Sequence, residues 1–111
     1  MVINDENRAK INSVYRLMKR QTVTKKFIMT LFNVSERTAR EIVSEIAQRA
    51  PVIALSNGEG YRVANIANPT DYADARHAYN ENRKRAEEIL KRNDALANAL
   101  GLPKHTVTEV V

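Results

Sequence analysis

Between Ser35 and Arg49 the stretch "SERTAREIVSEIAQR" sets Glu36, Arg37, Arg40, Glu41, Ser44 and Glu45 on the outward positions of one apolar-periodic segment. Guanidinium groups and carboxylates at this spacing have two uses. They can pair with each other, since Arg37 with Glu41 and Arg40 with Glu36 sit four residues apart on one face. Alternatively they can turn outward and hydrogen-bond a polar partner such as a nucleic acid. Other chemistry is poorly provided for. His77 and His105 are far apart and the chain has no cysteine, so no metal site or cofactor is expected. Asp71 with Asp74, and Glu87 with Glu88, form carboxylate pairs, but on an exposed amphipathic helix they are expected to act as solvating charges. There is no serine elbow and no phosphate-binding glycine loop, and two of the three glycines fall in one short turn region. No catalytic residue, and no enzyme activity, is expected.

The elements that must carry these side chains are legible from period and caps. A first helix is expected from about Asp5 to Lys19, with Ile11, Val14, Tyr15 and Met18 on one face. A second starts after the N-cap Thr24 and is expected to bury Phe27, Ile28, Leu31 and Phe32. Asn33 suits the left-handed backbone that ends a helix. Ser35 then caps a third helix, whose inner face is Ala39, Ile42 or Val43, and Ile46. Thr38 stands where a capping box would place Glu. Past Arg49 the period changes to two β-branched runs, Val52–Leu55 and Tyr61–Val63, around "SNGEG", which reads as a hairpin. "NIANPTD" breaks the pattern and re-caps a helix at Thr70 or Asp71, just after Pro69. That helix extends to about Leu100, where Gly101 and Pro103 stop it, and "KHTVTEVV" is expected to be a loose tail.

Composition bounds the partners. The 111 residues allow one compact domain plus an appendage, and 43% apolar with 5% aromatic content calls for an aliphatic core. "MVINDENRAK" has no long apolar run, so neither a signal peptide nor a membrane span is expected, and with no cysteine the chain reads as soluble and cytoplasmic. The net charge of +5 is unevenly spread: residues 1–64 hold eleven Lys/Arg against six Asp/Glu, whereas residues 65–100 hold six of each. Arg8, Lys10, Arg16, Lys19, Arg20, Lys25 and Lys26 supply seven of those eleven cations. A basic block beside a neutral appendage suits a nucleic-acid partner.

"TKKFIMTLFNVSERTAREIVSEI" followed by "PVIALSNGEGYRVA" resembles the winged helix-turn-helix of the biotin-repressor and DeoR-type regulators. Those families share a "VS-x-RT" entry to the third helix and a closing "GYR" on the wing. The resemblance covers about Ile11–Ala64 and includes Ile28, Phe32, Val34, Ser35, Arg37, Thr38, Val43, Ile46, Gly60, Tyr61 and Arg62. It departs at Met29, usually a small residue, and at Asn33, usually a glycine. The resemblance implies that Glu36, Arg37, Arg40, Glu41 and Ser44 face a major groove. Arg37 or Arg40 would make a forked contact with guanine, and Glu41 would accept from a cytosine amino group or orient an arginine. Ser35, Thr38, Thr24, Lys25 and Lys26 would reach phosphates. The wing tip, Asn57, Gly58 and Glu59, would lie with Arg62 along the backbone or minor groove. Against this, Ser35 serves as a cap in any case, the third helix is nearly neutral, and Glu59 suits a phosphate clamp poorly. Base contact and solvated surface stand as alternatives for these positions.

The last helix carries a separate pattern. Tyr72, Ala75, Tyr79, Asn82, Ala86, Ile89, Asn93, Leu96 and Leu100 alternate in spacing of 3 and 4, about four heptads of a seam. About 30 residues of helix span ~45 Å, more than the preceding domain needs for its core. Homodimerisation is expected, with folding back along the first helix as the alternative. Arg83 and Arg85 flank the seam without complementary acids, which disfavours a simple parallel pair.

The expected architecture is therefore mostly α with a small β-hairpin: a winged helix-turn-helix domain over residues 1–66, a long amphipathic dimerisation helix over 70–101, and a flexible tail over 102–111. The expected function is sequence-specific double-stranded DNA binding by a small dimeric transcriptional repressor. The alternative is a winged helix used for protein–protein contact, such as a phage- or mobile-element-encoded inhibitor or assembly factor.

Overall fold

A computed structural model describes residues 1–55 and 60–104. The elements run α1 (Asp5–Met18), α2 (Lys25–Phe32), α3 (Glu36–Ala47), β1 (Val52–Ala54), β2 (Tyr61–Val63) and α4 (Pro69–Leu100). The chain is mostly helical, with a small two-stranded antiparallel hairpin and a long C-terminal helix. Two compact units divide it, Met1–Ala75 and Arg76–Val111.

Short polar side chains start the first three helices by satisfying otherwise unpaired backbone donors. Asn4 accepts from the Asn7 N–H, Thr24 from Phe27 and Ser35 from Thr38. Asn33 ends α2 in the left-handed conformation, with φ 51° and ψ 51°. The two-residue turn that follows brings α3 against α2. Val14, Met18, Val23, Ile28, Ala39, Ile42, Val43 and Ile46 form the core of the first unit, an aliphatic cluster drawn mainly from α1, α2 and α3.

Phe27 and Leu31, expected inside, are instead 43% and 49% exposed. The apolar residues of α2 span more than half of its circumference, and only the side bearing Ile28 is sealed by the core. Another correction concerns the start of α4. Asn68, rather than Thr70 or Asp71, is the cap: its Oδ1 accepts from the N–H groups of Thr70 and Asp71. Pro69 becomes the first helical residue, a position where its missing N–H costs nothing and its fixed φ suits the helix.

The hairpin pairs Val52 with Val63, Ile53 with Arg62 and Ala54 with Tyr61. Val23 extends it by one antiparallel bridge to Tyr61, through bonds of 2.8 and 2.9 Å in both directions. That close approach explains Gly60, whose φ is +145°: a Cβ there would meet Thr22 Cγ2 at 2.7 Å and the Val23 carbonyl oxygen at 2.8 Å. Val52, Tyr61 and Val63 pack on the core cluster. Because side chains alternate across a strand, Arg62 shares the opposite face with buried Ile53.

Within the second unit, α4 ends in a Schellman arrangement. Gly101 adopts φ +70°, its N–H donates to the Asn98 carbonyl, and the Leu102 N–H donates to the Ala97 carbonyl. Among the described residues no helix is long and apolar enough to cross a membrane.

Candidate nucleic-acid interface

Ser35 orients the face in question. Its hydroxyl oxygen accepts from the Thr38 N–H at 3.2 Å and its O–H donates to Thr38 Oγ1 at 3.1 Å, which starts α3 and turns Glu36, Arg37 and Arg40 outward. Ala39, Ile42, Val43 and Ile46 occupy the opposite, buried side. Glu36, Arg37, Arg40, Glu41 and Ser44 line one shallow open concavity of about 420 Å³. Five of the six side chains expected on the outward positions therefore share a surface, the five that the resemblance turns to a groove; Glu45 instead borders a groove toward Ile11, Asn12 and Tyr15 of α1. Arg37 is the most exposed charged member of the five, with 90% of its side chain accessible.

Two carboxylates organise that surface. Glu36 Oε1 accepts from Lys25 Nζ and from Arg40 Nη2, each at 2.7 Å. Glu41 Oε1 pairs with Arg37 Nε at 3.3 Å, while Oε2 lies 2.8 Å from the α-amino group of Met1. Both expected i,i+4 pairs thus form, and each acid also reaches a cation outside α3. The Lys25 ammonium, by donating and by its charge, and then Arg40, hold the Glu36 carboxyl below the ordinary value of 4.5. Glu41 is likewise lowered, chiefly by the hydrogen bond from the Met1 amine and against a raising effect of burial.

Lys25 and Lys26 open α2, which has no acid in its first turn. Cations at the positive end of a helix dipole are disfavoured by up to about 1 kcal/mol, so a nearby anion is favourable there. Glu36 supplies one to Lys25; Lys26 is exposed. Thr24, Ser35 and Thr38 have hydroxyls engaged at helix starts, as the cap bonds above describe. On α1, Lys10 pairs with Glu6 at 3.4 Å and Lys19 lies 5.2 Å above the Tyr15 ring, while Arg16 and Arg20 share a shallow exposed depression with Ser13 and Leu17. Asn57, Gly58 and Glu59 lie outside the described residues, as does His105.

Arg62, which the resemblance would lay along the backbone or minor groove, is paired with two carboxylates of α4. Its guanidinium Nη2 lies 2.6 Å from Asp71 Oδ1 and 3.5 Å from Asp74 Oδ2. Asp71 is 5% exposed and also accepts from the Asn65 N–H at 2.8 Å. This corrects the reading of Asp71 as a solvating charge: the hairpin register sends Arg62 to a half-buried face, and a buried cation needs a carboxylate. Arg62 Nε stays buried with no hydrogen-bond partner among the described residues. Nothing in the local sequence marks Asp71 as this partner, because the pairing joins a strand to the next helix.

The seam residues of α4 keep their apolar surface open. Tyr72, Tyr79, Ile89, Leu96 and Leu100 are between 48% and 69% exposed. Arg83, beside the seam, lies along its own helix, 3.4 Å from the Tyr79 hydroxyl and 3.8 Å from Glu87. Among the described residues no group of three or more His, Cys, Asp or Glu side chains is placed to hold a metal. No model of a known protein family, no curated protein and no solved structure matches this chain.

Proposed function

We propose that the chain is a winged helix-turn-helix protein that binds double-stranded DNA sequence-specifically, as a small dimeric transcriptional repressor. The observation that carries this reading is the outward face of α3, where two exposed arginines, two carboxylates and Ser44 are collected on one open surface. A helix presenting such groups fits the major groove, with arginine suited to guanine and carboxylate to a cytosine amino group. The order helix, helix, turn, helix, hairpin supports it, as do Lys25 against α3 and the exposed Lys26, Arg16 and Arg20. The open α4 seam supports pairing of two copies, which would address a two-fold related site.

Retention of the full chain on random duplex DNA, measured across a salt series, tests the reading. Affinity that falls steeply with salt is expected. Fragment selection from genomic DNA should then enrich a defined site, and Arg37→Ala with Arg40→Ala should abolish its preference over random duplex. For the dimer, Ile89→Asp with Leu96→Asp should halve the solution mass.

A second reading is favoured by a specific observation. Phe27 and Leu31 leave an apolar pair open on α2, and the α3 cations are already neutralised by Glu36 and Glu41. Both features suit a protein partner. No retention on DNA at low salt would move the assignment to protein–protein contact.

A further inference from the structure

Glu36 is the first residue of α3, where the unpaired N–H groups and the helix dipole favour an anion. One of its oxygens, Oε1, receives both the Lys25 ammonium and the Arg40 guanidinium at 2.7 Å. Lys25 comes from the start of α2, eleven residues away in sequence, so the contact joins two helices. A phosphate oxygen bridging the same two cations at a helix N-terminus would need the position that this carboxylate oxygen holds.

We propose that Glu36 is a specificity-determining residue, an internal anion that withholds Lys25 and Arg40 from phosphates until the duplex offers the displaced carboxylate a partner. The proposal rests on the DNA-binding reading above. A nucleic-acid phosphate must displace Glu36 to reach either cation, and the displaced carboxylate then sits beside the phosphate. That arrangement is repulsive unless the carboxylate accepts a hydrogen bond, for example from a cytosine amino group. Random duplex therefore meets a weakened cationic surface, and a matching site recovers it. Glu36 is half-exposed and takes no part in the core cluster, so its displacement unpacks nothing there.

The test compares Glu36→Gln with Glu45→Gln on a random-sequence duplex, with a salt series and a melting curve for each protein. Glu45 lies on the same helix but borders the groove toward Ile11, Asn12 and Tyr15 of α1, so its replacement removes equal charge away from the Lys25–Arg40 pair. Glu36→Gln is expected to steepen the salt slope by about 0.9 for each phosphate newly reached, a gain of about eightfold at 0.1 M relative to 1 M salt. Glu45→Gln should change affinity less than twofold. Glu36→Gln should also melt at or slightly below the wild-type temperature, since it loses a favourable charge at a helix start. A merely structural Glu36 would lower the melting temperature with no gain in affinity. Equal or weaker binding by Glu36→Gln, with wild type still salt-dependent, overturns the proposal and leaves DNA binding standing. Equal gains in both variants overturn it too, as a general charge effect. If neither wild type nor Glu36→Gln is retained at low salt, the DNA-binding reading and the proposal fall together.

Discussion

Arg40 and Arg62 are each held by a carboxylate at close range, 2.7 Å from Glu36 in one case and 2.6 Å from Asp71 in the other. Their surroundings make these two pairs behave differently. Glu36 and Arg40 are both more than half exposed, so water competes for each and the pair contributes little to folding. Asp71 is buried and also accepts a backbone N–H from Asn65, so removing it strands a guanidinium that water reaches poorly. The same chemistry is exchangeable on α3 and structural under the hairpin. The proposed exchange of ion pairs for a DNA phosphate needs the first kind. The strand that fixes the first turn of α4 needs the second.

The largest expected effect breaks the buried side of this comparison. Asp71→Ala should destabilise the chain by about 2–3 kcal/mol in denaturant unfolding, below the full cost of orphaning a buried charge because Arg62 is partly exposed. Asp74→Ala, at 3.5 Å and half-exposed, should cost under ~0.5 kcal/mol. Equal effects from the two would show that burial does not distinguish them. Next in size is Gly60→Ala, expected to cost about 2 kcal/mol, because φ +145° is strained for alanine and its Cβ would press on the Val23 carbonyl. A loss below ~0.5 kcal/mol would mean that the bridge between Val23 and Tyr61 is loose.

What the sequence made legible divides along the same line as the two arginines. Thr24, Asn33, Ser35 and Gly101 each act within a few residues of themselves, and their caps and stops follow from side-chain chemistry alone. The inner face of α3 was readable because twelve residues fix a helical phase and its polar side is unambiguous. The eight residues of α2 carry apolar groups around too wide an arc, so only tertiary packing could choose Ile28 over Phe27 and Leu31. At α4, Pro69 moved the cap to Asn68 because proline prefers the first helical position to the one before the helix. Among the pairings that escaped, two show the reason. Arg62 with Asp71 depends on the strand register, and Lys25 with Glu36 depends on how two helices meet. Neither is encoded in a local period.

On the exposed side, Arg37→Ala with Arg40→Ala should leave unfolding free energy within ~0.5 kcal/mol of wild type, as expected for solvated i,i+4 pairs. The same double variant is the one expected to lose site preference, so stability and binding separate at α3. A loss above ~1.5 kcal/mol would show that these arginines hold the fold, and the comparison with Arg62 would collapse.

The smallest effect is also the most local. Glu36 is held below 4.5 because its charged form is stabilised first by Lys25 and then by Arg40. A carboxyl lowered in the folded state lends stability above its unfolded value, and that contribution disappears as pH falls through the lowered folded value. The Lys25–Glu36–Arg40 contact should therefore be intact at neutral pH and survive acidification to about pH 5, just above the ordinary range. Following the Glu36 side-chain carbonyl by NMR through an acid titration should place its midpoint below 4.5. Lys25→Ala should raise that midpoint further than Arg40→Ala, since Lys25 supplies the larger share. If Arg40→Ala moved it more, the helix-to-helix contact would be secondary to the pair within α3. Lys25 would then be the lesser partner of Glu36, and Arg40 the cation that a phosphate chiefly has to win.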